Sequence, residues 1–261
     1  MRMLSAEWAA ASADENVMNY LNPDLDLAAL GQTLRSTGRV QIRNFFSREV
    51  ADALDQALQR IDWQLVYRDL NGDRRLTGEQ LRSLTAEQRW QLTEGIHSVA
   101  REGFQFSFFS DSLVEALQKG RSDLLARFMR YMAEEDFLSV MRELSGDASI
   151  KGVYAQATMY SRGNFLTAHD DHVEREDRRL AYVINLTRQW SPDWGGLLHF
   201  TAEDGSVLDT FYPHFNSLSL FTVPQSHFVS YVPPYAMGER QAITGWLIAA
   251  PQQGSIPAPG A

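Results

Sequence analysis

Two of the six histidines in the chain lie beside two aspartates, in the run Ala168-His169-Asp170-Asp171-His172. Residues two apart on a β-strand point to the same face, so His169 and Asp171 would project together. Asp170 and His172 would point to the opposite face. An imidazole and a carboxylate on one face can supply two ligands of a metal site, and the third must come from a distant strand. The best candidate is His227, at the start of an apolar segment.

Two histidines and one carboxylate are the ligand set of non-haem iron(II) oxygenases, which leaves positions open for a bidentate cosubstrate and dioxygen. The His-x-Asp pattern alone is weak evidence, since so short a match arises by chance. Arg240 adds a second signal, because it opens the last apolar strand thirteen residues after His227. An arginine entering such a strand needs an anionic partner or must reach solvent. Its planar fork suits a carboxylate held by two hydrogen bonds.

The second half of the chain carries the strands that would position these residues. Its apolar segments are short and are separated by Gly, Pro, Asn and Asp turns. So many short strands in about 100 residues favour a double-sheet jelly roll or barrel. The predicted strands are 153–160, 179–187, 196–201, 206–211, 217–223, 227–232 and 241–249.

The first half of the chain is richer in helix signals. Ser47 is a candidate N-cap, and it precedes apolar residues at helical spacing. Two capping-box patterns, Thr77 with Gln80 and Thr85 with Gln88, predict further helix starts. Apolar stripes at 125–132 and 137–144 predict two amphipathic helices, the second ended by a glycine.

These elements predict an α+β, mainly β fold in which N-terminal helices buttress a jelly-roll core. No clean linker separates the halves, so we expect a single domain over 1–250. It comprises a helix-rich part at 1–150 and a jelly-roll core at 151–250. The residues 251–261 are predicted to form a disordered tail.

Composition narrows the classes of function. The formal charge is −9 and no long basic run occurs, which disfavours a dedicated nucleic-acid binder. The chain has no cysteine, which excludes disulfides, thiolate metal ligands and cysteine nucleophiles and is compatible with the cytoplasm. No segment has signal-peptide character or the roughly 20 apolar residues needed to span a bilayer. We therefore expect a small-molecule or polypeptide substrate, no nucleic-acid or membrane partner, and a cytoplasmic location.

The ordered motifs of the second half resemble those of prolyl-4-hydroxylase-like 2-oxoglutarate oxygenases. The run from Tyr160 through Gly163 to His169 and Asp171 is similar to the signature Y-x-x-G-x-x-x-x-x-H-x-D of that family. The resemblance continues to about residue 250, with all motifs in the family's order. The other matching motifs are Arg179-Leu180-Ala181-Tyr182-Val183-Ile184-Asn185-Leu186, Trp194-Gly195-Gly196-Leu197-Leu198-His199-Phe200, Phe215-Asn216-Ser217-Leu218-Ser219-Leu220-Phe221, His227-Phe228-Val229 and Gly238-Glu239-Arg240-Gln241-Ala242-Ile243-Thr244-Gly245-Trp246.

This resemblance implies a double-stranded β-helix and a dioxygenase that hydroxylates an unactivated C–H bond. It implies His169, Asp171 and His227 as Fe(II) ligands. It also implies Arg240 as the partner of the distal carboxylate of 2-oxoglutarate, with Tyr160 as a second donor to that cosubstrate. For Thr244 two roles stay open, a contact with the cosubstrate and simple packing. Dioxygen is the co-reactant, and ascorbate is a possible stimulant. The carboxylate of Asp171 favours hydroxylation over halogenation, because related halogenases lack it.

The substrate stays open between a prolyl or peptidyl residue and a free amino acid. A non-catalytic or 2-oxoglutarate-independent, cupin-like metal-binding jelly roll is the alternative function. A nucleic-acid demethylase of the same superfamily is disfavoured, since Trp246 stands where that branch carries a second arginine. The charged segment 173–179 is either a solvated connection or a lid that contacts substrate through Arg175 or Arg178. The oligomeric state is not predicted.

Overall fold

The computed structural model of the protein describes residues 20–249 and the backbone of the strand Ile256–Pro257. Helices and strands alternate in the first half of this part, and strands dominate the second. The elements are α1 Leu27–Thr37, β1 Arg39–Arg43, α2 Arg48–Leu58, β2 Gln64–Asp69, β3 Gly72–Leu76, α3 Gly78–Ser83, α4 Ala86–Glu102, β4 Phe106–Ser112, α5 Leu113–Gln118, α6 Leu124–Ala133, α7 Glu135–Ser145, β5 Gly152–Tyr160, β6 Phe165–His169, β7 Arg178–Asn185, a 3₁₀ turn Pro192–Trp194, β8 Leu198–Thr201, β9 Val207–Phe211, β10 Ser217–Thr222, β11 His227–Val229, β12 Arg240–Ile248 and β13 Ile256–Pro257.

The strands form one antiparallel sheet in the order β1-β10-β7-β12-β5-β4-β6-β11-β8-β9. Three further strands lie off this path: β2 pairs with β4, β3 pairs with β2, and β13 pairs with β5. The sheet curls until its two ends are bridged by side chains. The Arg39 guanidinium lies 3.1 Å from the Asp209 carboxylate, and the Gln41 amide donates to the Tyr212 carbonyl at 2.9 Å. These contacts link β1 to β9 and to the residue that follows it. The chain thus has the α+β, mainly β architecture predicted from its sequence.

The two faces of the long central strands β5 and β12 pack in two different apolar clusters. On the outer face Ala155, Ala157, Ile243 and Leu247 are fully buried in a core shared with α1, α2, α5, α6 and α7. The alternate residues, among them Tyr160, point into the curl of the sheet, where a second apolar cluster lies. Burial on both faces explains why these strands are largely apolar.

Most of the predicted helix starts are confirmed by cap geometry. The Ser47 hydroxyl accepts from the backbone N–H of Val50 and begins α2. Both capping boxes are complete: in each, the threonine hydroxyl accepts from the backbone N–H of the glutamine, and the glutamine side chain accepts from the threonine N–H. Gly146 ends α7 with a left-handed backbone, φ 74°, which favours glycine.

The division at residue 150 does not separate helices from strands. All predicted strands of the second half occur, and the largest difference is at β11, predicted at 227–232 and observed at His227–Val229. The sheet, however, also takes β1 to β4 from the first 150 residues, the part predicted to be rich in helix. β4 lies between β5 and β6, in the middle of the sheet. Residues 251–255 and 258–261 of the predicted tail lie outside the described residues, and the single-domain prediction stays a prediction.

Among the described residues, no helix combines the length and the apolar character required to cross a lipid bilayer.

Candidate active site

Three side chains converge inside the curl of the sheet. His169 ends β6 and His227 begins β11, and the two are direct partners in that antiparallel pair. The Asp171 carboxylate lies between them, with one oxygen 3.4 Å from His169 Nε2 and the other 3.4 Å from His227 Nε2. Candidate ligand atoms of all three residues lie within 4.8 Å of one another. In the part of the chain that the structure describes, no other group of three such residues could hold a metal ion.

Both imidazoles are oriented by a carbonyl oxygen two residues earlier in the chain. His169 Nδ1 lies 3.0 Å from the Thr167 carbonyl, and His227 Nδ1 lies 2.7 Å from the Gln225 carbonyl. A carbonyl only accepts, so each Nδ1 carries the proton and each Nε2 lone pair is directed to the site. This is the arrangement that fixes metal-binding imidazoles in proteins.

The electrostatics of the group suit a divalent cation. Burial and the neighbouring His169 lower the pKa of His227 to about 4, so its imidazole is neutral at physiological pH. Burial alone would raise the pKa of Asp171. The interactions with His169 and His227 outweigh burial and hold that pKa below its usual value. The indole N–H of Trp246 contributes from nearby, although its geometry falls short of a hydrogen bond. Neutral imidazoles and an ionised carboxylate are the forms that bind metal.

Strand alternation is not what brings His169 and Asp171 together, so that part of the sequence argument was wrong. β6 ends at His169, and Asp171 lies in the following loop with a left-handed backbone, φ 63°. Aspartate tolerates this conformation better than most residues. The turn redirects the carboxylate toward the imidazoles. Asp170 and His172, predicted to point away, line the edge of the same cavity.

Arg240 lies in the interior without an acidic partner. It begins β12 and is 4% exposed. One terminal nitrogen donates to the Gly196 carbonyl at 2.6 Å and the other to the Asn185 side-chain oxygen at 3.4 Å, while Nε has no hydrogen-bond partner. Burial lowers the pKa of this guanidinium to about 10. Within residues 20–249 no carboxylate forms an ion pair with it, so the site is suited to an anionic ligand.

Two consecutive glycines place the carbonyl that Arg240 uses. Gly195 and Gly196 both have left-handed backbones, with φ of 58° and 60°. A Cβ on Gly195 would lie 2.1 Å from the Tyr231 carbonyl oxygen, a distance that no side chain can adopt. Glycine is therefore required at Gly195 for steric reasons, and the resulting backbone directs the Gly196 carbonyl towards Arg240.

A cavity of about 510 Å³ contains both His169 and Arg240 in its lining, and one of its walls is aromatic. Phe104, at the mouth, lies 5.5 Å from the His169 ring by centroid distance. From there the rings of Phe104, Phe106 and Phe108 follow at 6.0 and 5.6 Å. Phe108 stacks on Tyr160 at 5.3 Å, and the Arg240 guanidinium lies 5.4 Å from the Tyr160 ring. The row gives this wall of the cavity an apolar surface.

The sequence argument missed this aromatic wall, although its signal was present. Every second residue from Phe104 to Phe108 is phenylalanine, the period of a strand with one buried face. Further polar groups of the cavity lie on β5 and β12. Gln156, Thr158 and Thr244 line it, and Gln156 and Thr244 are cross-strand partners.

The remaining predicted residues have clear places. Tyr160 is buried beside Arg240, and burial raises the pKa of its phenol. His199 hydrogen-bonds Thr210 and Ser230 and is not in the cavity lining. His214 also lies outside that lining. The segment 173–179 was left open between a solvated connection and a lid that uses Arg175 or Arg178. Arg178 lines the cavity as the first residue of β7, and Arg175 does not.

Fold and site together define a jelly-roll protein with an interior group of two histidines and one aspartate, and with a buried arginine in the same cavity. Residues 155–248 match the family model of the 2OG-Fe(II) oxygenase superfamily. The resemblance to prolyl-hydroxylase-like 2-oxoglutarate oxygenases, predicted from the motifs, is confirmed by this match and by a similar protein of known activity.

A curated relative with sequence similarity is the prolyl 3-hydroxylase OGFOD1 of Xenopus laevis, 28% identical over 135 residues. The aligned region covers 49% of this chain and 26% of that protein, so the chain spans about a quarter of the relative's length.

Solved structures share the fold at lower identity. A Pseudomonas putida prolyl-4-hydroxylase matches with a TM-score of 0.56 and 18% identity, over 86% of this chain and 100% of that one. A Trichoplax adhaerens prolyl hydroxylase, in complex with a peptide fragment of hypoxia inducible factor, matches at 0.56 and 17%, over 85% and 89%. A Burkholderia pseudomallei 2OG-Fe(II) family oxidoreductase matches at 0.59 and 13%, over 90% and 95%. These likenesses confirm the double-stranded β-helix.

Proposed function

We propose that the protein is an Fe(II)- and 2-oxoglutarate-dependent dioxygenase that hydroxylates an unactivated C–H bond. In this proposal His169, Asp171 and His227 hold the iron. Arg240 binds the distal carboxylate of 2-oxoglutarate, and Tyr160 and Thr244 contact the cosubstrate from the neighbouring strand positions.

The observation that carries the proposal is the buried Arg240 without an acid. Removing a guanidinium from water costs several kcal/mol unless an anion offsets it. The cavity in front of Arg240 also contains the histidine–aspartate group, so a dianion could meet the arginine with one carboxylate and the metal with the other. A metal-binding jelly roll that did not use such an anion would have no need for this cation.

The chain's own residues perform three tasks in this mechanism. The carbonyls of Thr167 and Gln225 hold the imidazole rings so that Nε2 faces the metal. Arg240 orients the cosubstrate through a charge-assisted pair whose direction is set by the Gly196 carbonyl. Phe106 and Phe108 line the cavity between the histidine–aspartate group and Arg240. Their apolar rings would keep water out of it, and this would strengthen the electrostatic contacts of both groups with the cosubstrate.

When bound, iron and 2-oxoglutarate would supply the activation of dioxygen, with one oxygen atom going to the substrate C–H bond and the cosubstrate leaving as succinate and carbon dioxide. The surroundings of the histidine–aspartate group that face the substrate are largely aromatic. This environment suits an uncharged C–H bond, such as that of a prolyl or other peptidyl side chain or of an amino acid.

The substrate class is the finer part of the proposal. The similarity to prolyl hydroxylases and the peptide held by one structural relative support a prolyl or peptidyl substrate over a free amino acid. Dioxygen as co-reactant, stimulation by ascorbate and a cytoplasmic location belong to the same proposal.

The test is an anaerobic titration with iron(II) and 2-oxoglutarate, followed by the visible metal-to-ligand charge-transfer band. The wild-type protein should develop the band. Asp171→Ala should weaken or abolish it, and Arg240→Ala should need more 2-oxoglutarate to reach the same intensity. Folded protein that binds iron but develops no band would reject the cosubstrate assignment and favour a 2-oxoglutarate-independent, cupin-like metal-binding jelly roll.

A further inference from the structure

Arg178 contacts the loop that carries Asp171 at two places and the strand β12 at a third. Its Nε donates to the Glu176 carboxylate at 2.6 Å, and one terminal nitrogen donates to the Asp171 backbone carbonyl at 3.2 Å. The guanidinium carbon lies 3.7 Å from the centroid of the Trp246 ring, so the planar group is stacked on β12. Its side chain is 14% exposed. One guanidinium thus joins both ends of the loop to β12, the strand paired with β7.

The loop needs such an anchor because its backbone is unusual. Asp171 has φ 63°, and an isolated bridge between Val173 and Glu176 closes the turn after it. A left-handed residue other than glycine persists only where its surroundings determine the conformation. Rotation at Asp171 would turn the carboxylate away from His169 and His227. The hydrogen bond from Arg178 to the Asp171 carbonyl opposes that rotation.

We infer that Arg178 is a positioning residue that holds Asp171 in its left-handed conformation, so that the carboxylate stays between His169 and His227. This inference rests on the proposed function, because it concerns the metal ligand assigned there. Arg178 acts through the shape of its guanidinium. Its charge is largely offset by Glu176, and its nearest approach to the Asp171 carboxylate is 3.8 Å, a weaker contact than the one to the carbonyl.

The substitution Arg178→Lys distinguishes the effect of the shape of the Arg178 side chain from the effect of its charge. An ammonium keeps the positive charge but lacks the planar fork, so it cannot stack on Trp246 while donating to two oxygens. Arg178→Lys should therefore behave like Arg178→Met. If only the charge of Arg178 mattered, Arg178→Lys would behave like the wild type.

The neighbouring Arg179 offers a matched control. It follows Arg178 on the same strand but points outward, where its Nε pairs with Asp147 at 2.6 Å, and it is 43% exposed. Arg179→Lys and Arg179→Met change the same residue type at the adjacent position. Arg179 reaches the loop only through a 3.4 Å contact with the Asp177 carboxylate, so these variants leave the contacts to the Asp171 carbonyl and to Glu176 in place.

The test uses cobalt(II) alone as the probe, without cosubstrate or substrate, and follows its visible ligand-field bands. Residues that orient metal ligands typically change metal affinity 10- to 100-fold when they are replaced, so Arg178→Lys and Arg178→Met should each bind cobalt(II) roughly 10- to 100-fold more weakly. The altered coordination should also change the band shape. Both Arg179 variants should match the wild type, and far-UV circular dichroism should show that all variants are folded. If Arg178→Met does not fold, Arg178→Lys and Trp246→Phe carry the comparison.

Cobalt(II) affinity and band shape that are unchanged in Arg178→Lys would overturn the positioning role. So would an equal loss in the Arg179 variants, which would indicate a general weakening of β7. Failure of the wild type itself to bind cobalt(II) would reject the metal site, and with it the proposed function. The two failures are therefore distinct.

Discussion

Replacing Arg240 with methionine should separate the stability of the fold from the affinity for the cosubstrate. Burial lowers the pKa of Arg240 to about 10. At about 1.4 kcal/mol for each tenfold change in proton affinity, burying this charge disfavours the folded state by roughly 3 kcal/mol. Methionine removes that cost, but it also removes a charged hydrogen bond to the Gly196 carbonyl that contributes about 1.5–3 kcal/mol. The two effects nearly cancel. We expect Arg240→Met without ligand to unfold in urea within about 1.5 kcal/mol of the wild type.

The same substitution should be costly for the ligand. Truncating one partner of a buried, hydrogen-bonded charge pair costs roughly 2–5 kcal/mol, or about 30- to 5000-fold in Kd. Anaerobic calorimetric titration of 2-oxoglutarate into iron(II)-loaded protein measures this directly. Arg162→Met is the matched control, because Arg162 is exposed and donates to the Ala236 carbonyl outside the cavity lining. An Arg240→Met protein that binds 2-oxoglutarate within about threefold of the wild-type Kd would refute the assignment.

Three further predictions concern the metal-free protein. Gly195→Ala should lower the unfolding free energy by about 2–4 kcal/mol, since the new Cβ would collide with the Tyr231 carbonyl, whereas Gly205→Ala, with open space around it, should cost only about 1 kcal/mol in thermal or urea unfolding. Ser47→Ala should cost about 1 kcal/mol by removing the cap of α2, and Ser47→Asp should restore most of it in the same assay. The pKa of His227 is about 4 in the folded protein, below the ordinary 6.5, so the unfolded chain binds the extra proton first as pH falls. The contribution of neutral His227 to the unfolding free energy should be complete above pH 6.5 and should fall by roughly 3 kcal/mol as the pH is lowered to 4. A His227→Gln protein whose unfolding free energy has the same pH dependence as the wild type would contradict this.

The residues proposed as ligands could be picked out because histidine is rare in this chain and His169 stands two residues before Asp171. Six histidines allow few pairs with an acid two residues away, and Arg240 opens the last apolar strand. The jelly-roll strands were predictable for a related reason, since each is apolar and bounded by turn residues. In the central strands β5 and β12, burial on both faces produces that pattern directly.

Other features depended on contacts that are distant in sequence. The left-handed turn at Asp171 is stabilised by Arg178, whose stacking partner Trp246 lies on another strand. No local pattern specifies such a turn. β4 was overlooked because its alternating phenylalanines follow a long helix signal. Its place in the middle of the sheet is decided by pairing with β5 and β6.

The direct pairing of His169 with His227 also bears on how the protein folds. The two residues meet only when β6 and β11 have found each other in the correct register. Such non-local pairings are entropically costly and form slowly, because a long loop must close first. A metal ion that binds both imidazoles would stabilise the closed chain and not the open one. The rate of metal binding during refolding would then report the rate at which β6 pairs with β11, so a refolding experiment could time that step with the ion.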